Sequence, residues 1–345
     1  MGFFKRFRKQ AQGSWQGLPL PPLDQDTTPI FQTWHEFTPP GNKWAALDLK
    51  FPSAALSDSR VEAAIALDSP LGLVTWNVDS SCNAPDTRIS AIISHIQGLA
   101  SPVDIIFLQE VSHPALLTLL SIPWLRDQWF SSEADLTRFG KQPFISLTFL
   151  SKLRFGVPNS SSNKITLGPV WRVKYQSRFG RDALCCDILL QNQLRIRLIN
   201  VHLDSLQITP SMRPRQLSVV ASYLRATGHG LIGGDFNPVL PGDDDLVSSN
   251  GLVDVWSRIY PNKPGFTWGI DGKQRFPPHR LDKVVVVGLQ SIGISILPPG
   301  TCMSKNRCEL SQVLQNSKEG HHAELLVPWS DHCGLLYSFV VVNTQ

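Results

Sequence analysis

Two short polar side chains, Asp235 and Asn237, close a brief apolar run in Leu231-Ile232-Gly233-Gly234-Asp235-Phe236-Asn237. Residues two apart on an extended segment point the same way, so the spacing predicts that both face one reaction centre while Phe236 turns to the core. A carboxylate beside an amide can take a proton from water and hold an oxyanion, which is the pair a hydrolase needs at a phosphorus centre. Gly-Asp-x-Asn fits equally well a strand that ends in an Asx turn, and the pair has to be weighed by its company.

That company is a set of polar residues breaking into other apolar runs. Asn77 and Asp79 follow Gly72-Leu73-Val74-Thr75-Trp76, and Glu110 follows Val103-Asp104-Ile105-Ile106-Phe107-Leu108-Gln109. His202 lies in Asn200-Val201-His202-Leu203, Asp282 in Arg280-Leu281-Asp282-Lys283, and His332 in Ser330-Asp331-His332. Charged groups at the ends of apolar strands are costly unless paired, metal-bound or solvated. Each has an ordinary reading when taken singly: Asn77 as a turn residue, Glu110 as a helix-start carboxylate, His202 as a hydrogen-bonded core histidine, His332 as part of a cap. Six converging interruptions make a site. His321 and His322, in a polar loop, stay outside it, and Asp243-Asp244-Asp245 reads as a solvated turn.

Strands and helices must bring these residues together. Residues 71–77 read as a buried strand, and 86–98 as a helix capped by Asp86, with Ile89, Ile92, Ile93 and Ile96 at helical spacing. A second strand over 103–108 and a short helix over 114–120 follow, and a strand, helix, strand unit predicts parallel neighbours. Residues 144–150, 181–190 and 194–203 read as strands, the last two joined as a hairpin by Gln191-Asn192-Gln193. A helix over 213–226 precedes the Asp235 strand, and 281–286 and 335–342 are late strands. Residues 1–65 differ from the body, 66–345. They open with the basic, aromatic Met1–Lys9, which reads as a disordered basic tail or else as a presequence, a nuclear address or a membrane-surface contact, and Pro19, Pro21, Pro22, Pro39 and Pro40 argue against regular structure, so the arm is expected to be partly disordered or docked. Trp34, Phe37 and Trp44 are expected to dock this arm on the body.

With 42% hydrophobic residues over 345 positions the chain can bury a sizeable core, and no apolar run approaches the roughly 18–20 residues of a membrane span. Lys5, Arg6, Arg8 and Lys9 are four of 32 Lys and Arg; the other 28 balance 28 acidic residues. Nucleic-acid affinity would therefore come from a local basic groove and not from a global field. Six cysteines without CxxC spacing make neither a disulfide framework nor a zinc site. They predict a reduced compartment, nucleus or cytoplasm, with the mitochondrion as the alternative if the basic opening is a presequence. Nothing in the pattern asks for an oligomer, so a monomer is expected.

The ordered set Thr75-Trp76-Asn77, Leu108-Gln109-Glu110-Val111, Asn200-Val201-His202-Leu203, Gly234-Asp235-Phe236-Asn237, Arg280-Leu281-Asp282 and Ser330-Asp331-His332 resembles the endonuclease/exonuclease/phosphatase superfamily. The resemblance implies a four-layer α/β sandwich, with two central mixed β-sheets flanked by helices and the site at one end of the sheets. Residues 66–345 would then be the catalytic domain. Thr75 to Asp79, His202-Leu203-Asp204-Ser205, Leu252 to Trp256 and Phe266-Thr267-Trp268 are most similar to the tyrosyl-DNA phosphodiesterase branch. That branch carries an arginine two positions after the Asn of Gly-Asp-x-Asn, where Val239 stands here; Asp204 and Gln207 also depart from it.

By this resemblance the chain is a phosphodiesterase of DNA repair, acting on DNA 5′ ends with a tyrosyl or peptide adduct, or on other nucleic acid. Glu110 with Asn77 would hold one Mg²⁺, Mn²⁺ being the alternative ion, with Asp79 and Asp331 beside it. Asp235 would activate water with Asn237 in support. His332 and His202 would donate to the phosphorane oxygens, with Asp282 orienting His332. Arg181 and Ser205 would meet the phosphate, and Trp268 would stack on a base. Other members hydrolyse RNA, abasic DNA, phosphoinositides or sphingomyelin, but the inositol phosphatase signatures are missing here. A binding protein on an inactive scaffold would have lost Glu110, Asp235 or His332, and all three are present.

Overall fold

A computed structural model describes residues 28–49, 69–81, 83–158, 165–190, 194–304 and 325–341. Met1–Lys9, the prolines at 19, 21 and 22, the 191–193 connection, His321 and His322 lie outside these residues. In chain order the strands are β1 (Ile30–Gln32), β2 (His35–Thr38), β3 (Lys43–Ala46), β4 (Leu71–Asn77), β5 (Ile105–Ser112) and β6 (Trp129–Ser131). Next come β7 (Phe144–Ser151), β8 (Phe155–Gly156), β9 (Ile165–Lys174), β10 (Asp182–Leu190), β11 (Arg195–His202) and β12 (Gly230–Asp235). The last are β13 (Val253–Asp254), β14 (Asp282–Val287), β15 (Gln290–Leu297), β16 (Thr301–Ser304), β17 (Leu325–Pro328) and β18 (Gly334–Val340). The longer helices are α1 (Pro85–Gln97), α2 (His113–Ser121) and, between β11 and β12, α3 (Arg213–Thr227).

Two eight-stranded sheets result. One runs β15-β18-β4-β5-β7-β6-β2-β3; the other runs β1-β9-β10-β11-β12-β14-β13, with β8 also beside β9. Both are mixed: β4–β5 and β11–β12 are parallel pairs inside otherwise mainly antiparallel sheets. Strand alternation then sorts the core. Leu73, Phe107, Leu198, Leu231 and Val284 meet between the sheets. Val74, Trp76, Ile106 and Leu108 face Ile89, Ile93, Leu116 and Leu119 of α1 and α2. Val201 and Ile232 face Leu217, Val220 and Leu224 of α3. Helices, sheet, sheet and helix make the expected four layers.

Three elements differ from their sequence reading. β5 does not end at Leu108 but continues through Glu110 to Ser112, with a register irregularity between Leu108 and Val111. α1 begins at Pro85 after Ala84 in the left-handed conformation; Asp86 lies in the first turn and makes no side-chain cap. Pro39 and Pro40 form a tight 3₁₀ turn between β2 and β3 instead of breaking them. Asp243 is not solvated either. It is buried, accepts from Arg213 Nε at 2.9 Å, and takes the Val239 and Leu240 N–H groups.

Candidate active site

Parallel pairing carries the polar residues to one end of the two sheets. Asn77 stands opposite Gln109 where β4 and β5 end their parallel run, and His202 stands opposite Asp235 at the ends of β11 and β12. β14 runs the other way, so its first residue, Asp282, is opposite Asp235. The 330–332 segment is pinned beside β4: Ser330 Oγ donates to the Asn77 carbonyl at 2.6 Å, and Trp76 Nε1 donates to the His332 carbonyl at 3.0 Å.

Asp235 is the centre. Its Oδ2 accepts from Asn77 Nδ2 at 3.0 Å and lies 3.5 Å from His202 Nε2 and 3.9 Å from His332 Nε2. Asn237 departs from its predicted placement. The strand ends at Asp235 and Asn237 has φ 46°, so the two side chains are not alternate residues of one extended segment. Its N–H donates to Asp235 Oδ1 at 3.0 Å, an Asx turn, and its amide donates to the Leu203 carbonyl at 3.1 Å. Asn237 thus fixes one Asp235 oxygen and leaves the other facing the histidines.

The surroundings push the two imidazoles in opposite directions. His332 Nδ1 bonds Asp282 Oδ2 at 2.8 Å, and Thr267 Oγ1 accepts the Asp282 N–H at 3.0 Å. Burial works against charge on His332, but the carboxylates of Asp282, Asp331 and Asp235 outweigh it and raise its pKa well above the usual imidazole range. His202 goes the other way: burial, the Arg181 guanidinium and His332 push it well below that range. Burial also lifts Asp235, with Asp282 adding to the rise and His332 and Asn77 opposing it, to about 6.

On the far side of Asn77 the oxygens gather. Glu110, at φ 57°, brings Oε1 to 3.5 Å from Asn77 Nδ2. Asn77 Oδ1 accepts the Asp79 N–H at 3.0 Å, which leaves its amide nitrogen facing Glu110 and Asp235. The Asp79 carboxylate turns to Ser81 and to Arg88, 3.3 Å away. Asp331 accepts from Trp268 Nε1 at 3.1 Å, and desolvation by its surroundings followed by the charge of Asp79 pushes it up to about 7. Such crowded carboxylates are relieved by a cation. Glu110 Oε1 and the Asp331 carboxylate are oxygens of the kind a hard divalent ion takes. Asp235, Asp282 and His332 also lie within 4.8 Å of one another at their ligand atoms. That trio fits a metal poorly, because His332 Nδ1 is spent on Asp282 and its imidazole is drawn to the protonated form, which has no lone pair to give.

Arg181 borders the centre beyond His202. It is buried, its Nη2 donates to Ser205 Oγ at 3.2 Å, and its guanidinium lies 4.6 Å from the Phe144 ring centroid. Its Nε and Nη1 have no hydrogen-bond partner among the described residues. A cavity of about 50 Å³ lined by Arg138, Gln142, Phe144, Arg181 and His202 adjoins it. Trp268 bridges by backbone to both His332 and His279, which sets its ring at the edge of the same centre.

The Endonuclease/Exonuclease/phosphatase family matches residues 74–332. The chain belongs to that family. Among solved structures, TDP2 of D. rerio complexed with single-strand DNA product is similar over 80% of this chain and 100% of its own, at 18% identity and a TM-score of 0.57. Truncated TDP2 of Caenorhabditis elegans covers 78% of this chain and 97% of its own, at 20% identity and a TM-score of 0.56. ANGEL2, a 2′,3′-cyclic phosphatase crystallised with adenosine-2′,3′-vanadate, covers 79% and 96%, at 15% identity and 0.50. No curated protein matches the chain.

In this endonuclease/exonuclease/phosphatase fold the structure brings Asn77, Glu110, His202, Asp235, Asp282, Asp331 and His332 together, with Arg181, Ser205 and Trp268 at the margin. Asp79 is turned into its own loop. Sequence reasoning missed the residues behind them. Ser80 donates to Glu110 Oε2 from both N–H and hydroxyl. Gln109 links Thr75 Oγ1 and Asn200 Oδ1 between the sheets, behind Glu110. Asp204 anchors the 177–181 loop by taking Ser177 Oγ and the Arg178 N–H. Asp204 and Gln109 stood inside the motifs without a role assigned to them; Ser80 carried no signal.

Proposed function

We propose that the chain is a divalent-metal-dependent phosphodiesterase of nucleic-acid ends, and that its substrate is a DNA 5′ end bearing a tyrosyl or peptide adduct. One observation carries the chemistry: the Oδ2 of the buried Asp235 carboxylate lies 3.5 Å from His202 Nε2 and 3.9 Å from His332 Nε2, two imidazoles whose surroundings shift them in opposite directions. Asp235 orients water and takes its proton. His332, held by Asp282, and His202 donate to the charge that develops on the phosphorane oxygens, a contribution of about 10²–10³ in rate for each such donor. Glu110, with Asp331 nearby, holds the cation, Mg²⁺ by the oxygen character of the donors, and Asn77 bridges that half of the site to Asp235. A cation held by these residues would supply charge neutralisation for the phosphate oxygens and the leaving group.

The free Nε and Nη1 of Arg181 suit a phosphate oxygen, and Ser205 steadies the guanidinium. Trp268, tied to Asp331, offers a ring to an unpaired base. The fold shared with a TDP2 that holds single-strand DNA product supports a DNA end as substrate. A second reading keeps the chemistry and changes the ester. It is favoured by Val239, which stands where the resemblance expects arginine and whose carbonyl accepts from Gln207 Nε2 at 3.2 Å.

The test is hydrolysis of a short single-stranded DNA with a 5′-phosphotyrosine, beside abasic, 3′-hydroxyl and 2′,3′-cyclic phosphate substrates, in Mg²⁺ and in EDTA. Metal-dependent release of tyrosine leaving a 5′-phosphate is the expected result. Cleavage of another ester alone transfers the site to the second reading, and inertness toward every ester in Mg²⁺ and Mn²⁺ rejects the enzyme.

A further inference from the structure

We propose that Ser80 is a positioning residue that restricts Glu110 to one ligand oxygen and thereby biases the site toward small octahedral cations over Ca²⁺. This rests on Glu110 being the metal-holding carboxylate, as read above. Glu110 Oε2 accepts twice from Ser80, from its N–H at 3.0 Å and its hydroxyl at 2.7 Å. Oε1 has looser neighbours among the described residues, Asn77 Nδ2 at 3.5 Å and His202 Nε2 at 3.8 Å. An oxygen holding two short hydrogen bonds has little lone-pair density left for a cation, so Glu110 presents Oε1 alone.

Ser80 can impose this because its loop is clamped. Arg88, itself buried, donates to the Asp79 carbonyl at 2.9 Å, to the Val78 carbonyl at 3.3 Å and to the Pro328 carbonyl at 3.0 Å. Ser81 N–H holds Asp79 Oδ1 at 3.0 Å. Glu110 needs the clamp, since it stands in a left-handed conformation at the irregular stretch of β5, where it has no ladder partner among the described residues. Ion size follows from denticity. Mg²⁺ keeps near-octahedral geometry and accepts single carboxylate oxygens, whereas Ca²⁺ gains from bidentate carboxylates in a larger, looser shell. Occupying Oε2 denies Ca²⁺ that second oxygen.

The experiment is calorimetric titration of the full chain with Mn²⁺, Mg²⁺ and Ca²⁺, without substrate, for wild type, Ser80→Ala, Ser80→Gly and Ser80→Thr. Loss of the hydroxyl in Ala and Gly is expected to weaken Mn²⁺ and Mg²⁺ about tenfold, the lower range for removing a partner of a metal ligand. Ca²⁺ is expected to bind as well as before or better, and Thr to restore the wild-type ratio. A merely structural loss would weaken all three ions together and lower the melting midpoint. An unchanged Mn²⁺ to Ca²⁺ ratio in both Ala and Gly overturns the role of Ser80 while the metal reading stands. Wild-type protein that binds none of the ions overturns both.

Discussion

Asp235 is the residue at which charge, burial and geometry meet, and its raised pKa makes a definite pH statement. The base works only when deprotonated, so activity is expected to fall as pH drops through about 6. His332 works protonated, and the carboxylates around it raise its pKa, so the alkaline limb of activity is expected above the ordinary imidazole range. A bell-shaped kcat/KM profile with these limbs belongs to the cluster and not to single residues. Asp282→Asn removes the first charge that raises His332, so the alkaline limb is expected to move to lower pH, readable in the same profile. Asp235→Asn keeps the shape but removes the base, and its single amide oxygen can accept from only one of Asn77 Nδ2 and the Asn237 N–H. Turnover should drop about 10³-fold or more while the protein stays folded by circular dichroism, and retained turnover would reject the mechanism.

At the scale of elements, one glycine decides whether β12 can deliver Asp235 at all. Gly234 has φ 140°, and a Cβ there would lie 2.0 Å from the Val201 carbonyl of the parallel neighbour β11. Gly234→Ala is therefore expected to cost about 3 kcal/mol or more, measured by urea unfolding. The sequence made these elements legible wherever apolar periodicity ran unbroken, as in β4, β10, β11 and α3. It also pointed to polar residues that the fold brings to one end of the two sheets, because several charged interruptions of buried strands are hard to explain together. It failed where the backbone leaves the regular regions. Glu110 and Asn237 were read as ending extended runs, yet both adopt positive φ, a property that side-chain type scarcely signals. Asp243 looked solvated because composition cannot reveal that Arg213 comes from another element to meet it.

At the scale of the whole molecule, the segment from Ile30 to Ala46 joins both sheets. β1 pairs with β9 in one, and β2 pairs with β6 in the other. Between them Trp34 is fully buried and donates from Nε1 to the Gly168 carbonyl at 3.0 Å. Trp34→Ala is expected to cost about 3–5 kcal/mol by chemical denaturation. The sequence suggested a docked arm; that it completes two ladders could not be read, since three- and four-residue strands are too short for periodicity to register.

The double pairing of this segment bears on where the chain can be cut. A version begun at Leu71, where β4 starts, would keep every residue of the site and every residue of the family match. It would also lay bare the backbone of β9 over Val170–Arg172, the backbone of β6 over Phe130 and Ser131, and a socket the size of an indole. Unpaired edges beside exposed apolar surface recruit strands from other chains. The shortened protein is thus expected to elute as aggregates in gel filtration while the longer one does not, so a failed activity assay on it would report on lost solubility and not on the chemistry of Asp235.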